Sequence, residues 1–223
     1  MKDYILSLEQ WLRRHANPEQ AVAMEAYMRN QFTFLGLKNP ERTELVKAFW
    51  KEHELPQGEE LLTAAVQLWS LPEREFHYTA LNLLEKRKKT AQISDIAVLE
   101  KLVVEHSWWD TVDILAAHPI GSLLRKYPEL IQDYTEKWIQ SDNMWLRRAA
   151  LLYQLRYKES TDAERLFRYI ESCKHEEEFF IRKAIGWALR EYAKSDSGRV
   201  LSYVQGAALS PLSVKEALKH MKV

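Results

Sequence analysis

The sequence repeats a short helical pattern about every 35 residues, and this period limits the possible folds more than any other feature. Three segments share the order of their aromatic, basic and alanine positions: Phe76–Leu81, Trp145–Ala150 and Phe180–Ile185. The second and third are 35 residues apart, the first and second are 69 apart, and the unit missing between them falls at 109–113. Each unit holds two helices of about a dozen residues with their turns. Tandem helix pairs of this length predict a HEAT-like α-solenoid.

The composition also favours helix. Leu, Glu, Ala, Lys and Arg are the most frequent residues, and the chain has only six glycines. Two of the seven prolines follow an asparagine and precede a glutamate, at Asn17–Glu19 and Asn39–Glu41. This order is typical of a helix start with an asparagine N-cap. We therefore predict an all-α chain that forms a single HEAT-like repeat domain over residues 1–223. In its central part the helical pattern predicts helices over 108–116, 119–126, 128–140 and 143–157.

The solenoid geometry has a consequence for residues far apart in the sequence. Equivalent helices of successive repeats line one concave surface, so we expect Asp113, Arg148 and Trp187 to converge on it. The same geometry brings Lys183 and Arg190 toward the groove. Basic residues slightly outnumber acidic ones between positions 137 and 194. We expect a concave basic groove that can follow a phosphate backbone.

Overall charge does not identify a partner, because 32 basic residues balance 32 acidic ones. This balance does not exclude nucleic acid, since only the charge of the docking face matters. The single cysteine, Cys173, excludes an intrachain disulfide, and histidine spacing and glycine distribution predict neither a metal nor a cofactor. The first residues lack a signal segment, and no apolar run nears the roughly 20 residues of a membrane span. We expect a soluble cytoplasmic protein.

Two tryptophans occupy mainly polar helix faces, where a core tryptophan is not expected. Trp109 and Trp187 each have charged neighbours one helical turn away. An indole among charges indicates a ligand surface, and the competing interpretation is an aromatic residue that packs successive repeats. Trp108 and Trp145 have more apolar neighbours or occupy a repeated aromatic position, and we predict that both are buried.

Asp113 follows Trp109 by four residues, so the carboxylate and the indole share one helix face. Arg148 lies among apolar neighbours, where a guanidinium either extends to the surface or points at a partner, and phosphate suits its planar fork. Two simpler interpretations stay open. In the first, Asp113 is a solvated helix residue or one that the helix dipole favours. In the second, Arg148 forms an ion pair between helices.

A carboxylate between two indoles suits a developing positive charge. The indole faces attract a cation, and the carboxylate adds Coulomb stabilisation and can orient a water molecule. Hydrolysis of an N-glycosidic bond passes through such oxocarbenium character in the sugar, as O-glycoside hydrolysis does. A leaving base that is already cationic needs no general acid, so one carboxylate suffices.

The chain resembles the DNA alkylation repair family of HEAT-like DNA glycosylases, the AlkD-like enzymes, over nearly its whole length. The resemblance is carried by five stretches: Phe32–Leu37, Leu71–Phe76, Ser107–Asp113, Ser141–Ala150 and Phe179–Trp187. It implies excision of 3-methyladenine and 7-methylguanine from duplex DNA. It also implies that the damaged base need not be flipped into a pocket, whereas most glycosylases extrude it.

The resemblance implies a role for each matching residue. Asp113 corresponds to the catalytic carboxylate, and Trp109 and Trp187 to residues that flank the lesion deoxyribose. Arg148 corresponds to a residue that holds the adjacent phosphate, and Tyr27 to one near the DNA. We expect a monofunctional glycosylase that acts as a monomer on double-stranded DNA with alkylated bases. The alternative is a non-catalytic HEAT-like module that binds damaged or branched DNA or a protein partner.

Overall fold

The structure, a computed structural model, describes residues 1–221 and confirms the all-α prediction. Among these residues, β-type backbone pairing is limited to one isolated bridge between Thr33 and Glu73. The chain packs as two compact units, Met1–Ala91 and Gln92–Val223. A single repeat domain over 1–223 therefore stays a prediction. Within residues 1–221, no helix combines the length and the apolarity that crossing a bilayer requires.

The first unit contains five helices among its residues: α1 Lys2–Arg14, α2 Pro18–Tyr27, α3 Asn39–Glu52, α4 Glu59–Trp69 and α5 Arg74–Arg87. Asn17 caps α2 as predicted, and its side chain accepts a hydrogen bond from the Gln20 amide at 3.2 Å. The corresponding prediction for Asn39 is wrong. Helix α3 begins at Asn39 itself, and the Asn39 side chain accepts from the Arg42 guanidinium instead.

A buried carboxylate joins two of the stretches that carry the family resemblance. The Glu75 carboxylate accepts hydrogen bonds from three successive amides, those of Leu35, Gly36 and Leu37, at 2.9–3.0 Å. Gly36 has a φ of +86°, and a Cβ there would lie 1.9 Å from the Asn17 carbonyl oxygen. This position therefore needs glycine, and the two stretches have a structural role within the first unit.

The second unit contains α6 Asp95–Val104, α7 Trp109–Leu115, α8 Gly121–Lys126, α9 Leu130–Asp133, α10 Thr135–Trp138, α11 Met144–Leu152, α12 Ala163–Cys173, α13 Phe179–Tyr192, α14 Ser197–Gly206 and α15 Pro211–Leu218. Helices α7, α11 and α13 begin 35 residues apart, as the repeat predicts. They pack in that order, α7 on α11 and α11 on α13, and α15 packs on α13. Equivalent helices of successive repeats are thus neighbours.

Three local predictions differ from the structure. The sequence predicts a helix break before Pro119, but a π-helical segment, Ala116–Ile120, carries the chain from α7 into α8 without interruption. The wider π turn accommodates a proline that has no amide hydrogen to donate. A helix predicted over 128–140 forms as the two short helices α9 and α10, and one predicted over 143–157 ends at Leu152.

Candidate functional site

Asp113 on α7 and Arg148 on α11 form a two-bond ion pair. The Arg148 Nε donates to Asp113 Oδ1 at 2.7 Å, and Nη2 donates to Oδ2 at 2.8 Å. The remaining guanidinium nitrogen, Nη1, donates to the backbone carbonyl of Phe180 on α13. Three successive repeats therefore meet at one guanidinium. In the structure, Arg148 thus forms an ion pair between helices, which is one of the interpretations that the sequence leaves open.

Both members of this pair are buried, with Asp113 8% exposed and Arg148 3% exposed. Burial raises the pKa of the Asp113 carboxyl above its ordinary value, and the hydrogen bonds and charge of Arg148 oppose that rise. Both carboxylate oxygens accept N–H bonds, so this geometry selects the anionic form. The anion has a fixed orientation, and its partner is a cation that does not lose its proton.

A cluster of aromatic side chains holds together the starts of the three repeat helices. Trp108, Trp145 and Phe180 lie within 5.1–5.7 Å of one another, measured between ring centroids. The prediction that Trp108 and Trp145 are buried is wrong, because each keeps part of its surface exposed. Their packing fixes α7, α11 and α13 where the Asp113–Arg148 pair forms.

Asp113 also lines an open cavity of about 460 Å³, together with Trp187. Trp187 is 36% exposed, which is unusual for so large an apolar side chain. Trp109 begins α7 one turn before Asp113 and is half-buried. It is not one of the described residues that line the cavity. The structure thus brings Asp113, Arg148 and Trp187 together, with Trp109 on the same helix as the carboxylate.

The two predicted DNA-binding cations on α13 already have an acidic partner. The Glu216 carboxylate on α15 lies 2.8 Å from Lys183 Nζ and 3.0 Å from Arg190 Nη1. These cations lower the pKa of Glu216, with Lys183 as the larger cause. Tyr27, the remaining predicted DNA contact, is the last residue of α2 in the first unit and is 73% exposed.

Sequence reasoning missed several partners in this region. The Phe180 carbonyl is a backbone group, so no residue pattern identifies it. Glu216 lies on the last described helix, outside the repeated motif. Arg156 and Lys158 line the cavity with Asp113. Arg156 lies in a turn where the sequence predicts helix, and Lys158 begins a short 3-10 helix, Lys158–Ser160, just beyond that predicted helix. In residues 1–221, no group of three or more His, Cys, Asp or Glu side chains is placed to hold a metal ion.

These features define a class of helical-repeat protein in which a buried, guanidinium-bound carboxylate opens onto a cavity beside an exposed indole. The chain belongs to the family of DNA alkylation repair enzymes, whose model matches residues 8–221. Its structure is similar to that of a predicted DNA alkylation repair enzyme from Enterococcus faecalis, at 34% identity and a TM-score of 0.84, over 93% of this chain and 97% of that one.

A second solved structure, smu.31 from Streptococcus mutans UA159, shares the fold at 17% identity and a TM-score of 0.59. The similarity covers 96% of this chain and 98% of that one. The search of curated proteins found no match. Family membership establishes that the chain has the α-solenoid fold of DNA alkylation repair enzymes and a role in the repair of alkylated DNA.

Proposed function

We propose that this protein is a monofunctional DNA glycosylase that hydrolyses the N-glycosidic bond of cationic alkylpurines, 3-methyladenine and 7-methylguanine, in duplex DNA. This reaction is the first step of base excision repair. The observation that carries the proposal is the Asp113 carboxylate, which is buried, oriented by two bonds from Arg148, and open to a cavity that Trp187 also lines.

The chemistry needs one anion at a defined place. As the bond between the base and the sugar breaks, its electron pair leaves with the base, and positive charge develops on the deoxyribose. A fixed carboxylate in a buried setting stabilises this charge more than water does. Asp113 also orients the water molecule that adds to C1′ and accepts its proton. A base that carries a positive charge becomes neutral on leaving, so neither a general acid, a metal nor a cofactor is required.

The indoles contribute a surface on which the sugar can rest. The exposed face of Trp187 lies at the cavity and attracts positive charge through its π electrons. In our proposal Trp109, on the same helix as Asp113, bounds the deoxyribose on another side. An open cavity presents a wall rather than an enclosed pocket, which suits attack on a base that stays in the DNA.

Arg148 has two possible functions in this scheme, and its contacts favour one of them. Its three guanidinium nitrogens are all engaged, two by Asp113 and one by the Phe180 carbonyl, and the side chain is buried. We propose that Arg148 orients Asp113. The phosphate contact expected from the resemblance requires one of its remaining N–H groups to reach the DNA.

Further residues would hold the DNA backbone, and we propose Lys183, Arg190 and Tyr27 among them. For the two cations, phosphate binding means exchange of the Glu216 carboxylate for a phosphodiester, which is also an anionic oxygen acceptor. Binding would be independent of base sequence and would weaken with salt. We propose a cytoplasmic monomer.

A non-catalytic module that binds damaged or branched DNA or a protein partner is the second candidate. The same fold can serve as a scaffold. The Asp113–Arg148 pair argues for the enzyme, because a buried ion pair contributes little net stability and a binding surface has no need of a buried anion.

Base release under single-turnover conditions tests the proposal. The substrate is duplex DNA containing 7-methylguanine, and wild-type protein is compared with Asp113→Asn. Release by the wild type and its collapse in the variant support the glycosylase. A folded wild type that binds the duplex and releases no base contradicts it and favours the binding module.

A further inference from the structure

Two cations line the cavity that contains Asp113 and Trp187, and the proposed reaction does not use them. Arg156 and Lys158 follow α11, and both are exposed. Within residues 1–221, neither forms an ion pair with an acidic side chain. Two positive side chains in the described part of the chain therefore face one solvent-filled space without an anionic partner.

The other charges of this region are already compensated. Arg148 is paired with Asp113, and both Lys183 and Arg190 are paired with Glu216. Glu191, the second acidic residue of the cavity lining, is 2.6 Å from the ammonium group of Lys194. After these pairs are formed, the cavity retains the two positive charges of Arg156 and Lys158. Such a space attracts an anion.

The backbone that carries the two cations is anchored against α8. The Tyr157 hydroxyl donates to the Gly121 carbonyl at 2.7 Å, and Arg125 Nη2 donates to the Arg156 carbonyl at 3.1 Å. A Cβ at Gly121 would lie 2.4 Å from the Tyr153 carbonyl oxygen, so glycine permits this close approach. The segment is thus held in place without any ligand.

The Arg156 side chain is also positioned. Its Nη1 lies 3.0 Å from Nε2 of His118, which comes from the π segment and also lines the cavity. A guanidinium can only donate, so His118 Nε2 is the acceptor. Lys158 has a φ of +52°, a left-handed conformation that a lysine adopts at some cost. A bound anion would find both cations on a fixed backbone.

We propose that Arg156 and Lys158 bind a phosphodiester of the DNA strand whose damaged nucleotide faces Asp113. Arg156 grips two phosphate oxygens with its fork, and Lys158 supplies a point charge. His118 positions the Arg156 guanidinium. That the damaged nucleotide faces Asp113 rests on the proposed function. The phosphate contact itself does not require catalysis.

The salt dependence of DNA binding measures these contacts directly. The experiment compares wild type with Arg156→Gln/Lys158→Gln on duplex DNA over a range of NaCl concentrations. Each lost phosphate contact makes the slope of log K against log[salt] shallower by about 0.9. Arg156 and Lys158 share one phosphodiester in this proposal, so the slope of the double variant should be shallower by about 0.9. Lys215→Gln/Lys219→Gln is the matched control, since it removes the same charge from two exposed lysines of the second unit that do not line the cavity. An unchanged slope, or an equal change in this control, overturns the proposal.

Single neutral linkages show whether the contact is local. Duplexes with one methylphosphonate at successive positions around 7-methylguanine should weaken wild-type binding at one or two positions. The double variant should lose no further affinity at those positions. Equal losses in both proteins at every position overturn the inference.

Base release separates this inference from the proposed function. If both hold, the double variant needs more enzyme than the wild type to reach half-maximal release. If the wild type releases no base, the proposed function fails, while the salt slopes still decide the phosphate contact.

Discussion

The Arg148 guanidinium meets the Asp113 carboxylate edge to edge, through Nε at 2.7 Å and Nη2 at 2.8 Å, from a helix that begins one repeat later. Its third nitrogen binds the Phe180 carbonyl in the following repeat. This arrangement leaves the carboxylate little freedom to rotate. The repeat period thus determines where the anion of the site lies and which way it faces.

Replacement of Asp113 by asparagine should abolish most base release. The variant keeps the size of the side chain and removes its negative charge, so we expect the single-turnover rate on 7-methylguanine DNA to fall about 10²-fold or more. The measurement is the plateau rate at saturating enzyme, with DNA affinity determined separately by titration.

The same substitution leaves the Arg148 cation without an anionic partner. Breaking a buried pair costs about 3–5 kcal/mol, although the amide oxygen of the introduced asparagine can still accept one bond. Thermal unfolding therefore accompanies the assay. A well-folded variant that retains the wild-type rate would remove Asp113 from the mechanism.

The pH dependence of the rate should report the Asp113 carboxyl. Only the anion stabilises the sugar cation, so the rate falls as pH drops through the pKa of Asp113 in the folded protein. Burial raises that pKa above its ordinary value of 3.8. The acid limb of the pH–rate profile, where the rate falls as pH drops, should therefore lie above pH 3.8. Arg148 lowers the same pKa, and Arg148→Gln should therefore move the limb to higher pH.

Arg148→Lys provides the companion measurement, because it keeps the charge and removes the planar fork. If Arg148 orients Asp113, this variant lowers the plateau rate and leaves the salt slope of DNA binding unchanged. A shallower slope in Arg148→Gln, which removes the charge, together with an unmoved acid limb would instead identify Arg148 as a phosphate contact.

The two candidate indoles should affect rate more than stability. Trp187 is 36% exposed and Trp109 is half-buried, so alanine at either position removes less packing than it would in the core. Trp138 is 1% exposed and serves as the control. Trp138→Ala should cost about 3–5 kcal/mol of unfolding free energy. A similar loss of stability in Trp187→Ala, measured by denaturant unfolding, would contradict a ligand-facing role.

The 35-residue period alone predicts much of the fold and part of the site. It places the starts of α7, α11 and α13 and explains why Asp113 and Arg148 can meet despite their distance in sequence. The pattern does not reveal that they bind each other, because a guanidinium in an apolar column suits a phosphate equally well. Aromatic residues at repeat positions are expected in the core, yet Trp145 lies in a cluster that remains partly open.

The remaining partners depend on structure outside the repeat. Arg156 and Lys158 face the cavity because the chain leaves the helix after Leu152, whereas the helical pattern there predicts that α11 continues. Glu216 meets its two cations because α15 packs closely on α13 at Gly186, where a Cβ would lie 2.5 Å from Glu216 Cβ. A close approach between helices of different repeats has no signal in either segment alone.

Removal of the Glu216 charge should strengthen DNA binding. Its carboxylate holds both Lys183 and Arg190, on the same helix as Trp187, and DNA must displace it before phosphate can reach them. Glu216→Gln removes this competitor, so the duplex should bind more tightly and the salt slope should steepen by up to about 1.8, or 0.9 per freed cation. The measurement is a binding titration of undamaged duplex at several salt concentrations.

Glu171→Gln is the matched control for this prediction. Glu171 is also paired with a lysine, Lys174, and its pKa is also lowered by that lysine, but it does not bind a cation of α13. Both variants change the net charge of the protein by the same amount. If affinity rises equally in both, the gain comes from overall charge, and Glu216 does not compete with phosphate. A gain confined to Glu216→Gln, with Lys183→Gln removing part of it, identifies an exchange of carboxylate for phosphate beside Trp187.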